Sequence, residues 1–353
     1  MTGIIETDAP GKLVLIGEYA VLEGAPAIAV AVDTRARVSL RSRDSDECTL
    51  LISNDKSRFT FHWTPRGGID WTEPDVGDRG TLLEATVATL AESGLMLNDL
   101  PGIELHINSE SFYSCADDGT PLKLGLGSSA AVSVAVTGAL LRLFPDEQVA
   151  KLDLLEICLR GHRRFQGQLG SGIDVASALF GGVIALEPKP GPIPSVTPLT
   201  WPDGLFALPV WTGVPASTIG MLGSAKAFRA KSPDRHQLHM NALQDIAITA
   251  LAAWRANDSV RLLAMIKKYS RELENYDNDS MIGIFSPPHR SLQQLVTARG
   301  AVYKPTGAGG GDCGMAFADN AETIAQLKSE LQSQGFMFTD AELGADGFCA
   351  TAS

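Results

Sequence analysis

The sequence is poor in the features that mark several protein classes. It has five cysteines, an odd count, at positions 48, 115, 158, 313 and 349, and no CxxC pair. Neither a disulfide framework nor a zinc knuckle is indicated, and reduced thiols are the simpler reading. The start, MTGIIETDAPGK, has no basic segment followed by an apolar stretch, so no signal peptide is expected and the protein is expected to be cytoplasmic. The longest apolar run, near Ala130–Leu141, is too short for a bilayer, which takes about 20 residues, so no membrane association is expected. Cations are also scarce: 29 Lys and Arg against 41 Asp and Glu give a net charge of −12. That excludes a global attraction to nucleic acid, and an anionic ligand needs local cations or backbone N–H groups. There is no Walker A GK[ST] and no internal repeat.

What is present suffices for packed cores. The chain has 353 residues, 44% of them hydrophobic, which suggests about two domains and excludes disorder as the dominant state. Aliphatic and alternating runs predict strands at Leu13–Ile16, Ala27–Val32, Arg37–Arg41, Thr49–Ser53, Arg58–Trp63, Gly102–Ile107, Val183–Leu186, Leu205–Trp211, Gly314–Ala318 and Gly347–Thr351. Helices are predicted at Leu82–Ser93, Ala130–Phe144, Asp153–Gln166, Val175–Phe180, Pro233–Ala256, Ser259–Leu273, Pro288–Arg299 and Ala321–Gln334. Six prolines in Glu187–Pro202 exclude helix and central strand and make that stretch the best linker. It divides the chain into 1–190 and 203–353. Strands and helices mix without strict βαβ alternation, which favours α+β.

Four segments carry chemistry. In Ala9-Pro-Gly-Lys12, Pro10-Gly11 reads as a turn and Lys12 as the start of an apolar strand, where its ammonium can face a phosphate or solvent. Leu124-Gly-Leu-Gly-Ser-Ser-Ala-Ala131 opens the apolar helix. Gly125 and Gly127 let the backbone approach a ligand, and the unpaired N–H groups of the helix start suit a phosphate. Lys123, Leu126, Ser128, Ser129 and Ala130 complete that candidate loop, with Ser129 a candidate ligand for Mg²⁺. A plain serine cap on a buried helix is the alternative. The string also fits GxGxxA, but it lacks a preceding apolar strand, and the acidic Asp146 and Glu147 follow a helix, against a dinucleotide fingerprint. Gly170-Ser-Gly-Ile-Asp174 places a carboxylate near a helix start, as a proton acceptor or as a cap. Pro305-Thr-Gly-Ala-Gly-Gly-Gly-Asp-Cys-Gly314 holds five glycines in eight residues and reads as a loop lying flat against a nucleotide or against the first glycine loop, or as a flexible hairpin. His236 and His239 are spaced as a metal pair without an evident third ligand, and Cys313 beside the second loop is a candidate for thiol reagents.

Taken together, the order APGK, GLGSSAA about 115 residues later and TGAGGGDC near the C-terminus resembles the GHMP kinase superfamily, over nearly the whole chain. Gly17-Glu-Tyr-Ala-Val21, the segment 163–176, Trp211–Thr218 and Gly311-Asp312-Cys313 are most similar to its phosphomevalonate kinases. The resemblance implies a two-domain α+β fold, with an S5-like N-terminal domain and a ferredoxin-like C-terminal domain. ATP and a small-molecule acceptor would share the cleft between them, with Mg²⁺ as cofactor and no nucleic-acid partner; a homodimer is compatible with it. It assigns catalysis to Lys12 and Asp174. Nucleotide binding falls to Lys123, Gly125, Leu126, Gly127, Ser128, Ser129 and Ala130, and the metal to Ser129. Acceptor binding falls to Lys12, Tyr19, Ser171, Gly172, Asp174, Ser217, Thr218, Gly307, Ala308 and Gly309. Lys123, Arg163, Arg164, Lys226 and Arg229 are the further cations available to an anionic acceptor. The adenine contacts are expected between Ser53 and Ser114. One departure is plain: mevalonate kinases carry a metal-binding glutamate upstream of the catalytic aspartate, and here no acidic residue lies between Glu156 and Asp174. A kinase of mevalonate or of another small hydroxy acid or sugar, and a non-catalytic sensor of the same fold, are the competing readings.

Overall fold

The computed structural model describes residues 3–95, 97–115, 119–144, 149–167, 170–338 and 341–352; Asp146 and Glu147 lie outside them. In chain order, the first part contains β1 (Ile4–Ile16), β2 (Ala27–Ser42), β3 (Cys48–Ile52), β4 (Ser57–Trp63), β5 (Ile69–Trp71), α1 (Asp78–Glu92), β6 (Ile103–Asn108), β7 (Tyr113–Cys115) and β8 (Pro121–Lys123). Then come α2 (Ser128–Leu141), α3 (Lys151–Phe165), α4 (Ile173–Phe180), β9 (Val183–Glu187) and β10 (Ser195–Leu199). The remainder holds β11 (Phe206–Trp211), α5 (Thr218–Lys231), α6 (Pro233–Arg255), α7 (Ser259–Ser280), α8 (Pro287–Ala298), β12 (Val302–Pro305), β13 (Cys313–Ala318), α9 (Ala321–Ser333) and β14 (Cys349–Ala352).

The long strand β2 organises the first sheet. Antiparallel β1 runs along one of its edges, while β9 and β6 share the other. The sheet continues as β6–β3–β4–β5 on one side and as β9–β10 on the other. Helices α2 and α4 pack on β1 and β2, and α3 packs against both helices and against α1. Because α2 is apolar on nearly every side, it needs cover all round; of its residues only Ser129 and Val132 are not buried. Part of that cover comes from the far end of the chain. There β14 pairs with β1, and Phe348 lies over Gly138 of α2. Arg35 fastens the return, pairing with Asp8 and donating to the carbonyls of Asp346 and Gly347 at 2.8 Å each.

The second sheet is antiparallel, in the order β11–β13–β12. A bridge from Trp211 to Met337 adds a short fourth member beyond β11. With α5–α8 between β11 and β12, and α9 after β13, this is a split β-α-β arrangement of the ferredoxin type. Leu292 and Val296 of α8 and Leu327 and Leu331 of α9 fill a small core against this sheet. The larger core is continuous from the first sheet through α6 and α7 to Met315 and Phe317 of β13.

Several expectations shift. Pro10-Gly11 is not a turn but a slip of register inside β1, since proline is tolerated where the ladder is already broken. The proline-rich stretch contains β10, which holds Pro198 because it is an edge strand, paired among the described residues only with β9. The last strand, grouped by sequence with the second half, joins the first sheet. Sequence reading missed α5, whose apolar period is weak and which buries only Ala225 and Phe228. It also missed β12, whose Lys304 looks polar but is buried.

A Gly138→Ala substitution reads the seat of Phe348 directly. Alanine should favour a helix interior by about 1 kcal/mol. Here the new methyl would lie 2.2 Å from the Phe348 ring. Net destabilisation of about 1–3 kcal/mol is expected from overpacking. In a Phe348→Leu background the same change should become neutral or stabilising, as read by urea unfolding.

Candidate active site

Strand β1 carries the centre of the site. Its register slip brings Gly11 so close to the first glycine loop that a Cβ there would stand 2.7 Å from the Leu126 carbonyl oxygen. The next peptide N–H, of Lys12, donates to that same oxygen at 2.8 Å. The Lys12 side chain then runs over Gly127, whose φ of 81° places it in the left-handed region as the cap of α2. At its end, Lys12 Nζ lies 3.3 Å from Asp174 Oδ1. Asp174 sits in the first turn of α4, which is capped by Gly172, and Ser171 Oγ accepts the Ile173 N–H at 3.3 Å. The ammonium is nearly buried and the carboxylate is 30% exposed, so the pair faces an opening.

That opening is a cleft of about 680 Å³, counting the open solvent at its mouth. Lys12, Tyr19, Ser171, Gly172, Asp174, Thr218, Gly307 and Ala308, eight of the ten acceptor-site positions named from sequence, line it. The other two are placed elsewhere. Ser217 spends its hydroxyl capping α5, accepting the Gly220 N–H at 3.2 Å. Gly309 packs on Ile284, where a side chain would collide with backbone. At the first loop, Leu126 and Ala130 bury their side chains and can offer a ligand only backbone. Ser128 is buried as well, while Ser129 is not. Lys123 is exposed on β8, and its charge acts on Asp312.

The two glycine loops meet. A Cβ on Gly125 would fall 2.2 Å from Asp312 Cβ, and Cys313 Sγ donates to the Leu124 carbonyl at 3.2 Å. Burial pushes the Asp312 carboxyl up, against the N–H of Ala216 that its Oδ1 accepts at 2.9 Å. The second loop is also tied to β1: the Thr306 hydroxyl donates to the Val14 carbonyl at 2.8 Å and accepts the Val14 N–H at 2.9 Å. Tyr19 O–H donates to the Ala308 carbonyl at 2.6 Å. From behind, Asp277 accepts the N–H groups of Gly283, Ile284 and Phe285, and Ile284 in turn accepts that of Gly310 at 2.9 Å.

Three features escaped the sequence reading. His162 on α3 lines the cleft and places Nε2 3.2 Å from Ser129 Oγ. Burial lowers its proton affinity, opposed by the charge of Asp174 and aided by that of Lys12. Glu18, also at the cleft, forms a fully buried ion pair with Lys304. Burial pushes Glu18 up and Lys304 down, and each charge resists the shift of the other. His289 bonds Tyr303 O–H at 2.7 Å and the Gly311 carbonyl at 2.8 Å, fixing the second loop. No motif marks these residues; only the fold brings them to the loops.

One candidate, Cys313, is corrected; the histidine pair, which lacks a third ligand in the sequence, is otherwise engaged. The His236–His239 pair is engaged with neighbours: His239 contacts Glu272 at 2.7 Å and Asp279 at 3.1 Å, and His236 contacts Tyr276 O–H at 3.3 Å. Cys313 is fully buried, and burial pushes its thiol far up, so it is shielded from thiol reagents. Among the described residues no group of three or more His, Cys, Asp or Glu side chains is arranged to hold a metal ion. A divalent cation at Ser129 would therefore depend on oxygens brought by its ligand. One hydroxyl beside phosphate-bound oxygens is a workable seat for such an ion.

His289 makes stability depend on acid. Burial pushes its imidazole down from 6.5 to about 4. The unfolded chain thus binds the proton more readily between those values, and stability falls as pH drops through that window. The loss is about 3 kcal/mol at most, from a shift of this size. A His289→Gln variant should show a flatter decline between pH 6.5 and 4 in urea unfolding.

Comparison with known proteins bears on this arrangement. The GHMP kinases N terminal domain matches residues 81–182. A phosphomevalonate kinase of Streptomyces sp. (strain CL190) is 32% identical, with 93% of this chain and 94% of that protein aligned. Among solved structures, a Lin0012 protein from Listeria innocua superposes with a TM-score of 0.83 at 26% identity, covering 99% of both chains. The phosphomevalonate kinase of Streptococcus pneumoniae, in complex with phosphomevalonate and AMPPNP, superposes with a TM-score of 0.76 at 22% identity, covering 96% of this chain and 99% of its own. With the glycine loops, the lysine–aspartate pair and the cleft in one place, this chain belongs to the GHMP kinases and is a phosphotransferase.

Proposed function

We propose that the chain transfers the γ-phosphoryl group of ATP to the phosphate of 5-phosphomevalonate. The observation that carries this reading is the Lys12–Asp174 pair at 3.3 Å, opening on a cleft lined by Gly307 and Ala308 of the second glycine loop, with the Lys12 stem lying on Gly127 of the first. The names of the Streptomyces and Streptococcus proteins supply the acceptor.

On this reading the N–H groups of Gly125–Ser129 and the start of α2 hold the nucleotide phosphates. Asp174 orients the acceptor, and Lys12 stabilises charge on the transferring group. An acceptor phosphate is already ionised at neutral pH, so it needs little from a general base. Lys12 then matters more for screening one anion from another. A divalent cation, expected as Mg²⁺, would neutralise charge on the phosphates and be held at Ser129. Of the cations named from sequence, Arg164 is tied to Glu92 and Arg229 to Glu23. Arg163, whose guanidinium lies 4.0 Å from the site of a Gly172 Cβ, would meet an anionic acceptor at the edge of the cleft.

A coupled ADP-release assay with mevalonate, 5-phosphomevalonate, galactose and homoserine tests the assignment. The kcat/KM for 5-phosphomevalonate should exceed that for mevalonate by more than ~100-fold, because a site built for a charged group rejects an analogue lacking it. Higher activity on mevalonate would sink the acceptor assignment. Asp174→Asn and Lys12→Ala should each lower kcat at least ~100-fold with little change in thermal unfolding. Near-wild-type turnover in both variants would remove the pair from the mechanism.

A further inference from the structure

The start of α2 offers a cation an unusual partner. Ser129, the member of the first turn of α2 that is not buried, has an imidazole beside it: His162 Nε2 stands 3.2 Å from Ser129 Oγ. The carboxylates lining the cleft are Glu18 and Asp174. Glu18 is held by Lys304, and Asp174 by Lys12. His162 is itself buried at the wall of the cleft, so its ring cannot swing into solvent.

We propose that His162 Nε2 ligates the divalent cation that accompanies the nucleotide phosphates, beside Ser129 Oγ, and so shifts the cation preference of this enzyme from Mg²⁺ toward Mn²⁺ and Co²⁺. The inference rests on the phosphoryl-transfer reading above. Its geometric support is the spacing of the two atoms. Neighbouring ligands on an octahedral ion with bonds of about 2.1 Å lie about 3 Å apart. The Ser129–His162 contact already meets that separation without movement of α2 or α3. Its chemical support is donor type. Mg²⁺ takes oxygen ligands, whereas an imidazole nitrogen adds more to binding of the first-row transition cations, more for Co²⁺ than for Mn²⁺.

Pulsed electron paramagnetic resonance of Mn²⁺ with β,γ-methylene-ATP and the full chain tests this without turnover. Modulation from a directly bound ¹⁴N nucleus is expected in the wild type. It should change to the ¹⁵N pattern when the protein is grown on ¹⁵N-histidine, and vanish in His162→Gln. In titrations with the same nucleotide, His162→Gln should weaken Co²⁺ and Mn²⁺ by ~10-fold or more while moving Mg²⁺ less than ~2-fold. His162→Glu, which supplies oxygen, should raise Mg²⁺ affinity and abolish the nitrogen signal. If the wild type binds Mn²⁺ and nucleotide with no histidine nitrogen coupling, the inference is overturned and the kinase reading stands. If nucleotide and Mn²⁺ do not bind at all, both are overturned. The wild-type measurement decides the matter even if the variants fail to fold.

Discussion

The site depends on one short piece of strand, Gly11 to Val14, gripped from two directions. On one side the Lys12 peptide N–H holds the Leu126 carbonyl, and Gly11 supplies the space for that approach. On the other, the Thr306 hydroxyl both gives to and takes from the Val14 peptide. Residues 292 positions apart are thereby fixed within one hydrogen bond. Since β1 is also the partner of β2 and β14, sheet and loops cannot move independently. Three peptide-level bonds of about 1 kcal/mol each are modest as stability. As geometry they decide where Lys12 ends, and hence whether it meets Asp174.

Charge is handled by pairing rather than by abundance. The chain carries a net −12, yet the two lysines near the centre of the cleft are both nearly or wholly out of water. Lys304 is neutralised in place by Glu18, and its ammonium also donates to the Pro305 carbonyl at 2.9 Å. A buried pair of this kind gains little net stability against an apolar substitute, because desolvation offsets attraction. Removing one partner strands the other charge. The pair thus fixes the entry of the second glycine loop, immediately before Thr306, while leaving Lys12 as the ammonium that can answer to a ligand.

Much of this was legible in the sequence, for physical reasons that differ by element. The glycine loops announce themselves because close approach forbids side chains, as Gly125 against Asp312 shows. Helix α2 is legible because a run such as AAVSVAV can only be buried. The hidden parts depend on contacts between distant segments. His162 reads as an ordinary helix residue until α3 is laid against α2. Lys304 reads as an exposed strand residue until Glu18 is brought over it. Helix α5 is weakly patterned because it rests on the rest of the protein through only two buried residues. Pro10 and Pro198 read as breaks, yet a register slip and a sheet edge each accommodate a missing N–H.

On the proposed reaction, the arrangement also explains why so acidic a protein can bring two anions together. Coulomb repulsion between phosphates about 4 Å apart amounts to roughly 4 kcal/mol per pair of unit charges at a partly exposed site. The overall charge of the chain adds to that cost rather than relieving it. Screening therefore has to be local. Lys12 lies with its stem on Gly127 and its ammonium within 3.7 Å of the site of a Gly307 Cβ. It thus stands where the two loops and the acceptor cleft converge, and one charge can serve both the donor and the acceptor phosphate. Its partner Asp174 would oppose that service if it were buried. At 30% exposure its charge is partly screened by water, so an arriving anion can compete for the ammonium. On that reaction, the differing burial of the two partners, more than their proximity, is what would suit this pair to serve phosphoryl transfer between anions.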